Sequence, residues 1–187
     1  MQKISTKRIV FIALMAALTC IGSNIRVVMP IAIGDNAAFH LGNIFCALSG
    51  ILLGPWAGGF AAGFGSLIYD VLFYPAYISE CWITFLTKGA YGLVAGLIAF
   101  AGKKEISYVK SILATIAGAL TYAVLYLTKS YFYDGLLIAG LTPDAAMVTV
   151  PGKVPATIFN AVVAIIFAPI LAKAISVALK KNHLNMN

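Results

Sequence analysis

The sequence predicts an all-α membrane protein, a bundle of six transmembrane helices with both termini in the cytoplasm. Of its 187 residues, 61% are hydrophobic and only 10% are charged, whereas a soluble domain carries roughly 25% charged residues. The apolar residues fall into six runs, and lysine and arginine are concentrated between alternate runs. A chain of this composition has too little polar surface to cover its core in water, so we expect lipid to be its solvent.

The six predicted spans are separated by short polar stretches or by glycine and proline. They cover approximately residues 9–28, 38–53, 56–73, 81–101, 108–133 and 151–179. Gly54-Pro55 predicts a tight turn between the second and third spans, and Gly102-Lys103-Lys104-Glu105 predicts a polar link between the fourth and fifth. The whole chain, 1–187, is expected to form a single transmembrane domain.

The basic residues predict the orientation of the bundle, because short cytoplasmic loops are enriched in lysine and arginine. With six crossings, the following all fall on one side: Lys3, Lys7, Arg8, Lys103, Lys104, Lys110, Lys180 and Lys181. The opposite side holds Asp35, Glu80, Asp134 and Asp144. We therefore expect both termini inside the cell and the acidic loops outside.

Small residues recur at a spacing of four, which places them on one helix face and lets another backbone approach. The glycine pairs are Gly54/Gly58, Gly59/Gly63 and Gly92/Gly96. The glycine-rich run 50–65 predicts that the second and third spans pack tightly. Ala13 and Ala17 form a similar pair on the first span, which either packs inside the bundle or forms a docking surface for another membrane subunit.

Polar residues form a stripe in each of the last three spans, at i, i+4 and i+7, which places them on one helix face. The stripes are Thr84, Lys88 and Tyr91, then Tyr122, Tyr126 and Lys129, then Lys153, Thr157 and Asn160. A lysine at the bilayer centre costs roughly 2.5–3.5 kcal/mol on insertion scales, so such residues need a functional or structural reason. All three stripes fall in the predicted outer half, where together they would line a water-accessible pocket.

Structural explanations compete with this interpretation. Lys129 and Lys153 can extend to the outer interface, as long basic side chains do near helix ends. Lys88 lies deeper, and a structural ion pair with Asp70 or Glu80 would explain it.

The two outer loops carry further candidates for the rim of the pocket. Arg26, Asp35, Asn36, His40 and Asn43 surround the first loop, and Tyr74, Tyr77, Glu80 and Trp82 surround the second. Aromatic residues above a polar pocket suit a flat heterocycle, which stacks on rings while its edge takes hydrogen bonds. An interfacial aromatic belt explains the same aromatic residues.

Several function classes are not supported by the sequence. It has no phosphate-binding glycine loop with lysine, no HExxH and no GxSxG, so we expect neither an enzyme nor a chain that hydrolyses ATP itself. His40 and His183 fall on opposite sides of the predicted bundle, so no metal site or cofactor is expected. Nucleic acid is not an expected partner, because the basic residues form no patch.

Residues 40–96 carry a resemblance to a known family. The matching stretches are His40-Leu41-Gly42-Asn43, then Leu52–Gly59 (LLGPWAGG), Gly63-Phe64-Gly65-Ser66, Tyr69-Asp70 and Phe85–Gly89 (FLTKG) with Gly92 and Gly96. They resemble the substrate-binding S components of energy-coupling factor (ECF) vitamin transporters. The resemblance implies that the chain captures a water-soluble vitamin in its outer half, at the predicted stripes and at His40 and Asn43.

The same resemblance implies a set of partners. S components dock through small residues of the first helix, here Ala13 and Ala17, onto a transmembrane coupling subunit driven by two cytoplasmic ATPases. The chain looks closest to members for pyridoxine or hydroxymethylpyrimidine, and next to those for riboflavin. The competing hypotheses are a stand-alone secondary carrier, which should show inverted repeats, and a membrane scaffold without transport activity.

Overall fold

The fold was analysed in a computed structural model, which describes residues 5–28, 37–102 and 107–182. The helices are α1 (Thr6–Asn24), α2 (Gly42–Leu53), α3 (Pro55–Phe73), α4 (Cys81–Phe100), α5 (Tyr108–Lys129), α6 (Pro143–Thr149) and α7 (Val154–Lys181). A 3₁₀ helix (Pro75–Glu80) precedes α4, a π-helical segment (Ser130–Ile138) extends α5, and a 3₁₀ turn (Pro151–Lys153) leads into α7. Two short strands, β1 (Arg26–Val28) and β2 (Ala38–His40), lie between α1 and α2.

The predicted all-α membrane fold is confirmed at the level of its helices. Within the described residues, five helical stretches are long and apolar enough to cross a membrane: Thr6–Asn24, Pro55–Phe73, Pro75–Phe100, Tyr108–Ile138 and Pro143–Lys181. Helix α2 is apolar but has only 12 residues, about 18 Å of helix against a hydrocarbon core of about 30 Å. The count of six crossings and the side on which the termini lie stay predictions.

Some residues used to predict the orientation lie outside the described ranges. They are Lys3, Lys103, Lys104 and Asp35. The termini can still be related to the rest of the bundle, since Ser23 near the end of α1 and Ala156 near the start of α7 line one cavity. The ends of α1 and α7 nearest the chain termini therefore lie away from that cavity.

The end of the first predicted span and the start of the second were expected to be helical, and both predictions are wrong. Residues 26–28 and 38–40 form an antiparallel pair of strands in the register Arg26↔His40, Val27↔Phe39 and Val28↔Ala38. Val27 and Val28 are β-branched and favour extended backbone, a preference that apolarity alone does not reveal. Helix α1 accordingly ends at Asn24 and α2 begins at Gly42.

Helices α2, α3 and α4 touch backbone to backbone. Gly54 turns the chain between α2 and α3 with φ +83°, a conformation that glycine adopts without a steric cost. A Cβ atom on Gly58 would lie 2.4 Å from the Ser49 carbonyl oxygen, and one on Gly50 would lie 2.2 Å from that of Gly92. This confirms the tight packing predicted from the glycine run 50–65.

The outer surface of the bundle is apolar, as expected of a protein surrounded by lipid. Large exposed side chains occur on several helices, among them Trp56, Leu72, Val124 and Leu137. On α1, Ala13 and Ala17 are exposed while Ala16 is buried. The predicted docking pair therefore lies on the outward face of α1 rather than inside the bundle.

Candidate ligand-binding cavity

A cavity opens at one end of the bundle, and the 3₁₀ helix before α4 contributes Tyr77 and Glu80 to its wall. The rest of the wall comes from the end of α1, the strand pair, the end of α3, the start of α4, the end of α5 and the start of α7. It encloses about 910 Å³ of empty space, part of it open to solvent. The space within it that a water-sized sphere can occupy is about 120 Å³, less than the about 300–1,000 Å³ of typical ligand pockets, so a vitamin-sized ligand requires the cavity to widen as it binds.

Eight of the eleven predicted ligand residues line this cavity: His40, Thr84, Lys88, Tyr122, Tyr126, Lys129, Thr157 and Asn160. The three helical stripes therefore meet at one place. The other three, Asn43, Tyr91 and Lys153, are not part of the wall, and each contacts a residue that is. Asp35 and Asn36, considered with the first outer loop, lie outside the described residues.

Lys88 is buried in the cavity wall, with 5% of its surface exposed. Its amine donates to Oδ1 of Asn43 on α2 and lies 4.1 Å from the ring centroid of Tyr122 on α5. The amide oxygen and the ring face both stabilise a cation, so the charge is held without an acidic partner in direct contact. Glu80, considered as a partner from the sequence, pairs with Lys129 instead.

Three tyrosines form a stacked column from the core to the cavity. Tyr91 is fully buried on α4, and its ring lies 6.1 Å from that of Tyr122. Tyr122 in turn lies 5.6 Å from Tyr126, at an interplanar angle of 15°. Tyr122 and Tyr126 line the cavity, so the column ends in aromatic surface on which a planar ligand can stack.

The two lysines nearer the mouth are held by carboxylates. Lys129 contacts Glu80, and its Nζ lies 2.6 Å from Oδ1 of Asp134. Lys153 pairs with the other oxygen of Asp134 at 3.1 Å. The side chain of Lys153 is 3% exposed and that of Lys129 is 13% exposed. Both lysines are thus tied into one ion-pair network rather than extending into solvent.

Asn160 connects α7 to the strand pair. Its Oδ1 accepts from the backbone N–H of His40 at 2.9 Å, and its Nδ2 donates to the Ala38 carbonyl at 3.0 Å. The side-chain amide thereby satisfies one backbone donor and one backbone acceptor of β2. Thr157, one turn earlier, donates its hydroxyl to the Lys153 carbonyl at 2.9 Å, so its proton is already used while its oxygen can still accept.

The strand pair contributes two basic side chains to the cavity wall. Burial, together with the nearby charges of Lys88 and Arg26, lowers the pKa of His40 well below its ordinary value. Its Nδ1 accepts from the Gly42 backbone N–H at 3.2 Å, which places the proton of the neutral ring on Nε2. Arg26 donates to the Tyr69 hydroxyl at 2.9 Å and lies 4.3 Å from the Tyr74 ring centroid.

Helix α3 contributes a fourth polar stripe, which the sequence interpretation missed. Ser66, Tyr69 and Asp70 all line the cavity. Their spacing of i, i+3 and i+4 is the signal that was used on the other helices. The glycines around them predict close packing, but a helix can carry small residues on one face and polar residues on another.

These features define a class of protein, a membrane-embedded receptor for a small polar ligand. An apolar bundle surrounds a cavity that combines aromatic surface with fixed charges. Comparison with known sequences identifies the family. Residues 3–177 match the family described as "ECF-type riboflavin transporter, S component".

The chain therefore belongs to the ECF S-component family, as the resemblance predicted. It is a multi-pass membrane protein and the substrate-binding subunit of a vitamin transporter, and it is not an enzyme. S components of this kind bind small vitamin ligands and assemble with an ECF module. The chain is also 27% identical over 165 residues to a protein of Pyrococcus woesei described as "Uncharacterized protein in gap 3'region", covering 88% of this chain and 95% of the relative.

Proposed function

We propose that the chain captures a flat, water-soluble heterocyclic vitamin from outside the cell, with riboflavin as the first candidate. The observation that carries the proposal is the combination of tyrosine rings and fixed charges around one cavity. Tyr122 and Tyr126 offer ring surface, and Lys88 supplies a buried positive charge beside them. A planar ring system stacks on the tyrosine rings and directs its oxygen or nitrogen acceptors to the Lys88 amine.

The order of candidate vitamins differs from the order that the sequence suggested. The matching family is described by riboflavin transport, and the stacked rings of Tyr122 and Tyr126 suit a planar ring system. Pyridoxine and hydroxymethylpyrimidine are single-ring compounds with similar hydrogen-bonding edges, and they are the second choice. Riboflavin therefore comes first in the binding experiments.

The proposal extends to transport. The cavity faces outward, the vitamin binds against the strand pair, and the loaded chain reorients within its complex when two cytoplasmic ATPases act. Ala13 and Ala17 contact the transmembrane coupling subunit. Their exposure on α1 supports this role, because small residues let a second helix approach closely.

The identity of the vitamin is tested first by mass spectrometry of small molecules released from the purified chain. Titration with riboflavin, pyridoxine and hydroxymethylpyrimidine follows. Riboflavin is fluorescent, and we expect its emission to be quenched when it stacks on Tyr122 and Tyr126. Release of an unrelated metabolite, together with failure of all three vitamins to bind, would exclude the proposed substrates.

Two variants test the cavity, and a third controls for the loss of a lysine. We expect Lys88→Ala and Tyr126→Ala to weaken binding of the vitamin at least tenfold, because each removes a direct contact. Lys173 lies 5.9 Å from the Tyr108 ring centroid and does not line the cavity. Lys173→Ala should bind like the parent. Unchanged affinity in both cavity variants would show that the vitamin binds elsewhere.

Docking is tested by placing bulk on the outward face of α1. We expect Ala13→Phe with Ala17→Phe to abolish vitamin uptake while leaving the binding affinity unchanged. Ala174→Phe, at an exposed position of α7, is the control and should preserve uptake. Loss of binding in the α1 variant would instead indicate a role in folding.

A co-purification experiment separates the competing functions. An ATPase pair that co-purifies with the chain supports the S-component mechanism. Transport by the purified chain alone in liposomes would support a secondary carrier, and absence of both binding and transport would support a scaffold.

A further inference from the structure

Asp70 is a buried acidic side chain whose hydrogen bonding is incomplete. It lies on α3 in the cavity wall with 3% of its surface exposed. The Thr84 hydroxyl of α4 interacts with its carboxyl group. Its Oδ2 atom is buried and has no hydrogen-bond partner among the described residues.

An arrangement of this kind requires an explanation, because a buried acceptor without a donor is costly and a charged one more so. Lys88 lies close enough for its charge to act on Asp70, but its amine donates to Asn43. Most other polar groups at this depth have partners, including Ser66, whose hydroxyl donates to the Ala62 carbonyl at 2.9 Å. Asp70 thus offers an acceptor at the cavity wall that the neighbouring side chains do not use.

The position of Asp70 relative to the tyrosines suggests which donor binds its free oxygen. Tyr122 and Tyr126 belong to α5 and would hold the plane of a stacked ring. Asp70 belongs to α3, in another part of the wall of the same cavity, where the edge of that ring would lie. A carboxylate at a ring edge selects a donor, and the ring N–H of a flavin or of a pyridinium is such a donor.

We propose that Asp70 is a specificity-determining residue that accepts a hydrogen bond from a ring N–H of the ligand. This inference rests on the proposed function and adds to it the chemical group that is recognised. The N–H is either the imide N–H of a flavin or the pyridinium N–H of pyridoxine, and both place a donor on the ring edge. Lys88, with its positive charge, suits the carbonyl or hydroxyl oxygens beside that nitrogen.

The test combines variants of Asp70 with ligands that lack the N–H. Purified full-length chain is titrated with riboflavin and 3-methylriboflavin, and with pyridoxine and its N-methylpyridinium derivative. We compare the parent, Asp70→Leu and Asp70→Asn, with Ser49→Ala as the control, since Ser49 is a buried polar residue of α2 that does not line the cavity. Ligand-free unfolding temperatures are measured in parallel, and both Asp70 variants should equal or exceed the parent, since an unsatisfied buried carboxylate has been removed.

We expect Asp70→Leu to weaken binding of the N–H ligand about tenfold to a hundredfold, the usual range for a hydrogen bond to a charged group. N-methylation should weaken binding to the parent by a similar factor and have little further effect on Asp70→Leu. Ser49→Ala should stay within about threefold of the parent, since its hydroxyl donates to the Phe45 carbonyl within α2 at 2.7 Å. The ligand pair that shows this coupling identifies the imide or the pyridinium nitrogen.

The two proposals fail in different ways. If the parent binds none of the vitamins, the proposed function is wrong, and the recognition of a ring N–H fails with it. If the parent binds one of them and both Asp70 variants bind it equally well, Asp70 does not contact the ligand. Equal effects of N-methylation on the parent and on Asp70→Leu would overturn the inference in the same way, and would assign the carboxylate to water or protein donors.

Discussion

Two regions of this bundle achieve close association of helices by opposite means. Where α2, α3 and α4 meet, the side chains are reduced to hydrogen atoms and the backbones touch, as at Gly50 against Gly92. At the cavity, long polar and aromatic side chains connect the helices instead, as Lys88 of α4 does to Asn43 of α2 and to the ring of Tyr122 of α5. The glycine contacts leave no space for a ligand. The cavity leaves space whose walls carry different chemical groups.

Because of this difference, the residues that determine stability and those that determine ligand recognition lie in separate parts of one small domain. The glycine contacts involve backbone atoms, which cannot change without moving whole helices. The cavity contacts involve side chains, which can be exchanged while the helices stay in place. We therefore expect changes at the glycines to unfold the protein, and changes at the cavity wall to alter binding more than stability.

The largest effect is expected from a side chain placed between α2 and α4. A Cβ on Gly50 would lie 2.2 Å from the Gly92 carbonyl oxygen and 2.9 Å from the Gly96 nitrogen, and neither backbone atom can move aside. We expect Gly50→Val to destabilise the protein by about 3 kcal/mol or more, at or beyond the upper end of overpacking costs. Thermal unfolding in detergent measures the change.

Gly89 provides the matched control on α4. A Cβ there would meet its nearest neighbour at 3.4 Å, which is ordinary contact. Gly89→Ala should be neutral or slightly stabilising, because alanine is the better helix former. If Gly50→Val and Gly89→Ala proved equally stable, backbone contact would not be what holds this region together.

An intermediate effect is expected where α7 holds the strand pair at the cavity wall. Asn160→Leu removes both hydrogen bonds to β2 and leaves the His40 N–H and the Ala38 carbonyl without their partner. We expect a loss of about 1–3 kcal/mol in stability, which is the cost of unsatisfied backbone groups. Amide hydrogen exchange at His40 should become faster, and the bound vitamin should dissociate faster.

Asn182 makes a comparable side-chain hydrogen bond, to the Ala178 carbonyl at the exposed end of α7. Asn182→Leu should therefore leave both stability and exchange at His40 unchanged. Unaltered exchange at His40 in Asn160→Leu would mean that the strand pair does not depend on α7.

The comparison also explains which parts of the structure the sequence could predict. Helices and glycine packing follow from composition and from residue spacing, both of which are local. The convergence of Lys88, Tyr122 and Thr157 on one cavity was predictable, because each belongs to a stripe of fixed helical period. The strand pair was not recognised, because two valines at the end of an apolar run resemble the last turn of a membrane helix.

The partners of the polar side chains were harder to predict than their positions. Asn43 contacts Lys88 across 45 positions of sequence, and Asn160 contacts β2 across about 120. Spacing within one helix carries no information about such pairs. For the same reason the sequence suggested Asp70 only as a partner for Lys88. In the structure Lys88 donates to Asn43, and one oxygen of Asp70 is left to accept from another donor.

The smallest effect is expected at His40, where the strand pair joins α2 and the two regions meet. Burial and the charges of Lys88 and Arg26 lower the pKa of His40 in the folded protein, while the unfolded chain keeps an ordinary value near 6.5. Between these two values the unfolded state binds the extra proton, so stability is fully present above about pH 6.5 and falls as the pH drops below it. The slope is at most about 1.4 kcal/mol per pH unit.

Unfolding temperatures at pH 7.5 and pH 5.5 measure this effect, and His40→Gln isolates it. Glutamine does not titrate, while every other ionisable group remains in both proteins. We therefore expect the parent to lose about 1 kcal/mol more than His40→Gln over this interval. An identical loss in both proteins would mean that His40 takes up its proton in the folded state, and hence that the wall of the cavity is open to water at the strand pair.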